Sequence, residues 1–168
     1  MPLYAWLSAP GSLTARLMAH GEVRVEVLSQ GHQPFLADER RDVGCAAGHV
    51  REVLLTLDGL PAVWARSCTR PPTRQGPWKA MRGLGSRPLA ELLFVGQQVQ
   101  REPIRSTRLP SHSPMSGRMR RQWEARCPEL ALPRWSRSSV FWLQGQPLRV
   151  MEAFAPWVLS LDAHRRFR

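Results

Sequence analysis

Cysteine is scarce in this 168-residue sequence, for Cys45, Cys68 and Cys127 are widely separated and none stands in C-x-x-C spacing. This excludes a disulfide framework and a zinc site of the usual spacing, and it favours a reducing compartment. Long apolar runs are also missing, since no stretch approaches the roughly 18 apolar residues of a membrane span. The N-terminal residues lack the basic and apolar parts of a secretory leader. We therefore expect a cytoplasmic protein without stable membrane insertion.

The sequence also lacks the common catalytic and metal-binding motifs. It contains no G-x-G-x-x-G, no Walker loop, no G-x-S-x-G and no H-E-x-x-H, and its five histidines form no H-x-x-x-H pair. Redox chemistry on a dinucleotide, phosphoryl transfer and triad hydrolysis are therefore unsupported. We expect no metal ion.

Lysine is nearly absent as well, because Lys79 is the one basic residue among 24 that is not arginine, and the net charge is +11. Such an excess has two interpretations, a footprint for nucleic acid or a field that attracts small anions. The arginines are scattered, without the basic stripe or the aromatic interleaving typical of nucleic-acid-binding proteins. We therefore expect no nucleic-acid partner and keep a basic nucleic-acid-binding protein as the weaker alternative.

The length suits one domain over residues 1–168, and the 43% hydrophobic composition is that of a globular protein. Two hairpins are predicted over Asp58-Gly59 and Gln144-Gly145, which favour tight turns, while residues 30–47 have the pattern of a loop. Six segments have the pattern of strands, at 22–29, 49–57, 61–69, 96–108, 135–143 and 147–155. Because most of these strands are neighbours in sequence, we predict an α+β fold with a six-stranded antiparallel sheet and flanking helices.

Three helices are predicted from capping residues and apolar spacing. Ser12 is placed to cap a short helix that ends at Gly21. Ser86 is placed to cap a second helix in "RPLAELLF", with Pro88 in its first turn. A third, basic helix covers about 115–126, after a loop.

Two charged residues break the alternation of the strands. Glu152 is in phase with Val150 and Phe154, and Arg51 is in phase with Val53. An isolated buried charge costs several kcal/mol, so each residue needs compensation. Three interpretations remain open: the two residues pair with each other, they reach water at strand ends, or they face a polar ligand held between them.

The helix predicted after Ser86 offers a further element of a site. Backbone N–H groups of its first turn, such as that of Leu89, are free to bind a carboxylate with help from the helix dipole. Together with Arg51 they would form an anion clamp. Every helix has such an end, so this feature alone does not identify a site.

Three stretches in this order, "REVLLTLDGLPAVWARS", "LGSRPLAELLF" and "GQPLRVMEAFAP", resemble the bacterial chorismate pyruvate-lyase family. The resemblance runs from about Trp6 to Pro156. It implies a six-stranded antiparallel sheet around a small site closed by lid segments. It also implies a carbon–oxygen lyase that converts chorismate to 4-hydroxybenzoate and pyruvate without a cofactor, as the first committed step of ubiquinone biosynthesis.

The same resemblance implies roles for individual residues. Arg51 would hold the ring carboxylate, the Leu89 backbone would add a hydrogen bond to it, and Glu152 would contact the 4-hydroxyl end, so that Arg51 and Glu152 are the catalytic residues. Leu13 stands where the family has a ligand-contacting methionine, and Ser138 stands where it often has a second arginine.

Two segments depart from the family pattern. Residues 109–128 are longer than in familiar members, as a surface insertion or an altered lid, and residues 157–168 form a basic tail. No amphipathic stripe predicts a dimer, so we expect a monomer. The alternative function is that of a non-catalytic effector-binding domain, since the same fold occurs in bacterial transcription regulators. Those regulators usually carry a winged helix-turn-helix before the domain, whereas the resemblance here begins within about the first dozen residues.

Overall fold

Two tight turns organise the sheet in the computed structural model, which describes residues 2–94 and 98–167. Asp58 and Gly59 have φ angles of 48° and 81°, and Gln144 and Gly145 have φ angles of 50° and 73°. Left-handed backbone at both central residues matches the twist of the strands that a hairpin joins. Both hairpins predicted from the sequence are therefore confirmed.

The strands of the described residues form one antiparallel sheet. In chain order they are β1 (Val23–Pro34), β2 (Ala47–Leu57), β3 (Leu60–Thr69), β4 (Gln100–Arg101), β5 (Arg105–Arg108), β6 (Trp135–Leu143) and β7 (Gln146–Phe154). Their order across the sheet is β1-β2-β3-β7-β6-β4, and β5 also pairs with β6. The two long hairpins thus meet at β3 and β7 in the centre of the sheet.

Short helices flank this sheet. They are α1 (Pro2–Leu7), α2 (Leu13–Met18), α3 (Ala37–Val43), α4 (Ala90–Leu93) and α5 (Pro114–Glu124), with 3₁₀ segments at Lys79–Gly83 and Val158–Phe167. The Ser12 hydroxyl caps α2 by accepting from the Ala15 N–H, and the Ser113 hydroxyl caps α5 by accepting from the Ser116 N–H. No helix within residues 2–94 and 98–167 is both long enough and apolar enough to cross a membrane.

Within the described residues the sheet has seven strands, where the sequence predicts six. The strand predicted over 96–108 is divided into β4 and β5 around Pro103, which has no N–H to give to the β6 ladder. Residues 96 and 97 of that prediction lie outside the described residues. The predicted class, an antiparallel α+β fold, is unchanged by the division.

The prediction of loop over 30–47 is wrong. Strand β1 continues to Pro34, and α3 follows it. A bulge between Val27 and Ser29 shifts the register of β1 on β2, so the alternation of apolar residues is interrupted where the strand continues. Helix α3 begins where the Glu39 carboxylate accepts the Leu36 N–H at 2.8 Å, a contact that the apolar pattern does not reveal.

The helix predicted to start after Ser86 is shorter than expected. Gly85 has a φ of 59°, and the Arg87 N–H donates to the Leu84 carbonyl, so a turn precedes the helix. Helix α4 begins at Ala90 and has a single turn.

Alternation along the strands gives the sheet two faces. One face lines a cavity and is called the cavity face; it carries Arg51 and Val53 of β2. The other, called the opposite face, carries Glu52 of the same strand. Segments 11–14 and 88–94 cover the cavity face, and α3 and α5 cover the opposite face. Each face is therefore closed by helical segments.

Buried tryptophans fill the core on both sides. On the cavity face Trp6 of α1 lies beside Phe154, with ring centroids 6.5 Å apart. On the opposite face Trp64 and Trp123 are fully buried, and the Trp64 indole donates to the Gln122 amide oxygen at 2.7 Å. The indole N–H of Trp64 is thus satisfied inside the apolar layer that α5 completes.

Candidate active site

A cavity of about 680 Å³, counted with its open mouth, lies between the cavity face and the segments that cover it. Most of its wall is apolar, with side chains that include Val25, Val53, Leu55, Leu93, Phe141 and Val150. Among the described residues, four charged side chains also reach the wall: Arg51, Arg101, Arg137 and Glu152. Apolar walls with a few convergent polar groups are the usual anatomy of a small-molecule site.

The structure brings all four predicted site residues to this cavity. Arg51 comes from the middle of β2, Glu152 from β7, Leu89 from the turn before α4, and Leu13 from the start of α2. These positions are far apart in sequence. The pairing of β2 with β3 and of β3 with β7 places the two charged residues on one wall.

Arg51 is buried with spare hydrogen-bonding capacity. The residue is 2% exposed, and one guanidinium nitrogen, Nη2, donates to the Arg87 carbonyl at 3.1 Å. The other, Nη1, is buried and has no hydrogen-bond partner among the described residues. Burial lowers the pKa of this guanidinium below its ordinary value. A buried cation with an unused donor on a cavity wall is suited to bind an anion.

Leu89 contributes backbone to the same part of the cavity. It lies just before α4, and its N–H makes no hydrogen bond within the described residues, whereas its carbonyl accepts from Leu92 at 2.9 Å. The expectation that a helix dipole assists here is not met, because α4 has only four residues. Arg87, two residues earlier, holds Arg51 through its carbonyl, so this turn and the guanidinium are directly linked.

Glu152 has a partner, and it is not Arg51. Its Oε2 accepts from Arg137 Nε at 2.6 Å. The Arg137 Nη1 donates to the carbonyls of Trp6 and Ala9, at 3.2 and 2.8 Å. The Glu152 side chain remains 16% exposed on the cavity wall. Of the interpretations left open by the sequence, an internal ion pair thus applies to Glu152, with a different arginine.

Arg137 was missed by sequence reasoning as a member of the site, although a signal for it existed. A hairpin that turns over Gln144 and Gly145 places residue 137 directly opposite Glu152, and the observed register has this pairing. Counting residues back from the predicted turn would therefore have been enough to identify a cation that faces the carboxylate.

Arg101 was also missed, and here the sequence holds no comparable signal. It comes from the two-residue strand β4, its Nε donates to the Ser139 hydroxyl at 3.0 Å, and its Nη1 donates to the Gly11 carbonyl at 3.2 Å. Its guanidinium carbon lies 4.9 Å from the centre of the Phe141 ring. Burial, and then the charge of Arg137, lower the pKa of Arg101.

Two departures from the family pattern receive different explanations. Leu13 lines the cavity as an apolar side chain that is 5% exposed, so it can make apolar contact with a ligand. Ser138 lies on the opposite face, beside Met151, and does not reach the cavity wall. The absence of an arginine at Ser138 therefore leaves the charge of the cavity unchanged.

The segment 109–128 packs on the opposite face. Arg118 of α5 donates to both oxygens of Glu52, and Gln122 donates to the same carboxylate at 3.2 Å. Of the described cavity wall, no part comes from this segment.

Within residues 2–94 and 98–167, no three His, Cys, Asp or Glu side chains are grouped as ligands of a metal ion.

Comparison with known sequences identifies relatives over most of the chain. A family model described as chorismate lyase matches residues 2–161. A protein from Albidiferax ferrireducens named probable chorismate pyruvate-lyase is 42% identical over 164 residues, which cover 90% of this chain and 82% of that one. A protein of the same name from an Azoarcus species is 40% identical over 164 residues, with coverage of 95% and 86%.

Comparison with solved structures identifies the same fold at much lower identity. The effector domain of PhnF from Mycobacterium smegmatis has a TM-score of 0.54 and 13% identity, and the match covers 87% of this chain and 89% of that one. The possible transcriptional regulator YydK from Bacillus subtilis has a TM-score of 0.56 and 10% identity, with coverage of 90% and 65%. At these identities the likeness shows the fold alone, and it confirms the predicted α+β class.

Proposed function

Since this chain belongs to the chorismate lyase family, we propose that it converts chorismate to 4-hydroxybenzoate and pyruvate, as a cofactor-independent carbon–oxygen lyase in the first committed step of ubiquinone biosynthesis. The observation that carries this proposal is Arg51, a residue that is 2% exposed and whose Nη1, on the wall of an apolar cavity, has no hydrogen-bond partner among the described residues. Such a site suits an aromatic or cyclohexadiene carboxylate, because the ring fills the apolar part and the carboxylate meets the cation.

The ring carboxylate is bound in this proposal by Arg51 and the turn before α4. The Nη1 of Arg51 and the N–H of Leu89 both lack acceptors in the described residues, and the carboxylate would supply them. The Arg87 carbonyl holds the guanidinium in place before substrate arrives. A preorganised donor pair of this kind orients the substrate without a further ordering cost.

The C4 end of the substrate lies in this proposal against Glu152. Arg137 fixes the orientation of that carboxylate at 2.6 Å, while part of it stays open to the cavity. Glu152 would accept a hydrogen bond from the 4-hydroxyl group and assist the movement of the C4 proton. Leu13 would contact the ring as an apolar side chain.

The chemistry requires positioning more than it requires a reactive group from the protein. The C3–O bond of chorismate breaks, the enolpyruvyl group leaves as the enolate of pyruvate, and the hydrogen on C4 leaves as a proton. The enolate takes up a proton to become pyruvate, and the ring becomes aromatic. Aromatisation favours the products, so the protein contributes orientation and electrostatic stabilisation.

A direct assay tests this function. Purified protein, dialysed against a metal chelator, should convert chorismate to 4-hydroxybenzoate and pyruvate in equal amounts, measured by ultraviolet absorbance and chromatography. Arg51→Met should lose the activity, and Arg74→Met, a substitution of an exposed arginine away from the cavity, should keep it. A wild-type protein that binds 4-hydroxybenzoate but leaves chorismate unchanged would instead be an effector-binding domain.

Further parts of the proposal concern the state of the protein in the cell. The three cysteines Cys45, Cys68 and Cys127 are free thiols, which supports a cytoplasmic protein. We propose a monomer without a nucleic-acid partner, and light scattering together with DNA titration at two salt concentrations would test both points.

The attachment of α5 to Glu52 supports a packing role for segment 109–128 rather than that of a lid.

A further inference from the structure

The charges on the cavity wall do not balance. Three guanidiniums, those of Arg51, Arg101 and Arg137, and one carboxylate, that of Glu152, reach the wall among the described residues, which leaves an excess of two positive charges. Each uncompensated charge in a partly desolvated site costs free energy unless a ligand neutralises it. A ligand with two negative charges therefore fits this wall better than a ligand with one.

The two spare charges belong to Arg51 and Arg101. Arg137 is neutralised by Glu152 at 2.6 Å. No carboxylate of the described residues lies within 4.0 Å of the Arg51 or the Arg101 guanidinium. Since one carboxylate occupies Arg51 in the proposed function, Arg101 is left to meet the second.

Arg101 is held in place without being neutralised. Its Nε donates to the Ser139 hydroxyl and its Nη1 donates to the Gly11 carbonyl. The Phe141 ring lies under its guanidinium. All three contacts are neutral, and Nη2 makes no hydrogen bond within the described residues. A guanidinium that is positioned by neutral groups and keeps a free donor is prepared for an anionic partner.

We propose that Arg101 binds the side-chain carboxylate of the enolpyruvyl group, and that it thereby distinguishes the dianionic substrate from the monoanionic aromatic product. This inference rests on the proposed function. The aromatic product keeps only the carboxylate that Arg51 binds, because the second carboxylate departs with pyruvate. Arg101 would thus contribute to the binding of chorismate and contribute little to the binding of 4-hydroxybenzoate.

The first test measures substrate and product binding separately. Arg101→Met preserves much of the packing on Phe141 and removes the charge, and Arg101→Lys keeps the charge. For Arg101→Met we expect KM for chorismate to rise roughly 10- to 100-fold, while the Kd of 4-hydroxybenzoate changes less than about twofold. Arg101→Lys should recover part of the lost affinity. Arg108→Met, which removes an exposed arginine of β5, is the matched control and should leave both values unchanged.

A second test uses the wild-type protein and does not depend on the folding of a variant. The dianion 3-(carboxymethoxy)benzoate and the monoanion 3-methoxybenzoate share a ring, a carboxylate and an ether. We expect the dianion to bind at least about tenfold more tightly.

Three results would overturn the inference: equal affinities of the two benzoates, an unchanged KM in Arg101→Met, or equal losses of chorismate and 4-hydroxybenzoate affinity in that variant. A wild-type protein that does not turn over chorismate, whether or not it binds 4-hydroxybenzoate, would contradict the proposed function itself. The two failures are therefore distinguishable.

Discussion

On the opposite face of the sheet, Arg66 lies between Glu39 and Glu52, at 2.5 and 3.0 Å, and Arg118 completes the group. On the cavity face, Arg51 is equally buried, yet the one hydrogen bond of its guanidinium in the described residues is to a backbone carbonyl. Both faces thus enclose arginines that meet a carboxylate, Arg66 on the opposite face and Arg137 on the cavity face. The faces differ in that the cavity face also holds Arg51, which meets no carboxylate of the described residues.

The pKa values of the two arginines move in opposite directions. Burial lowers the pKa of Arg51, and no carboxylate among the described residues reverses the effect. Burial also acts to lower the pKa of Arg66, but hydrogen bonds and charge from Glu39 and Glu52 outweigh it and raise that pKa. Removing one partner from a fully paired group of buried charges destabilises the fold, whereas a buried charge without a partner on a cavity wall is a candidate for a ligand site.

The largest expected effect is on the opposite face. Arg66→Met should reduce the free energy of unfolding by about 3 to 5 kcal/mol, because it leaves two buried carboxylates without their shared cation. Urea unfolding at pH 7 measures this. Arg41→Met removes an arginine from an exposed pair with Asp38 and should change stability little. A stable Arg66→Met would remove the distinction between the faces.

Replacing the buried Arg51 of the cavity face by methionine should instead reduce activity and leave stability nearly unchanged. Arg51→Met should lower kcat/KM for chorismate roughly 100- to 1,000-fold, because it removes the cation that positions the substrate. Its free energy of unfolding should stay within about 1 kcal/mol of the wild type or rise, since a desolvated charge without a carboxylate is lost. Strong destabilisation of Arg51→Met would mean that this arginine is structural.

Glu152 combines features of both faces, because it is paired with Arg137 and still reaches the cavity. Glu152→Gln keeps the shape and an acceptor for Arg137 but cannot take up a proton. We expect kcat to fall about 100-fold with a much smaller change in the affinity for 4-hydroxybenzoate. Glu124→Gln, an exposed change on α5, is the control. A variant of Glu152 with full activity would contradict its assigned role.

The smallest expected effect concerns pH and His49, which lies on β2 two residues before Arg51. Burial, followed by the charges of Arg82, Arg51 and His32, lowers the pKa of His49 from 6.5. As the pH falls, His49 therefore takes up a proton at a higher pH in the unfolded chain than in the folded protein. The stability that depends on a neutral His49 is present above about pH 6.5 and is lost as the pH falls below that value, through the folded-state pKa.

Unfolding in urea at pH 7.5 and 5.5 measures this effect. We expect His49→Gln to lose about 1 kcal/mol less than the wild type between the two pH values. His112→Gln, at an exposed position, should behave as the wild type does. An identical pH dependence in His49→Gln and the wild type would be evidence against a neutral buried histidine.

Much of the fold was predictable because its main hairpins are local. The turns over Asp58-Gly59 and Gln144-Gly145 are encoded by adjacent residues, and the second turn also gives the pairing of Arg137 with Glu152. In this hairpin the register could be counted from the sequence, since no bulge interrupts it.

The register of the other hairpin could not be counted in the same way. A count from Asp58-Gly59 would place Arg66 opposite Arg51, on the cavity face. A shift between Leu55 and Thr56 instead pairs Arg66 with Glu52, on the opposite face. A bulge of one residue places every later side chain of the strand on the other face of the sheet. No residue type in this strand indicates that a bulge is present. Which face each buried charge of this hairpin lies on could therefore be learned only from the structure.

The central claim is that Arg51 has a donor on the cavity face that no described residue uses, and that this donor binds a carboxylate. Calorimetric titration of the wild-type protein with 4-hydroxybenzoate and with 4-hydroxybenzamide tests it most directly, since the two compounds have nearly the same shape and differ in charge. We predict that the benzoate binds at least about 100-fold more tightly than the benzamide. Equal affinities would contradict the claim.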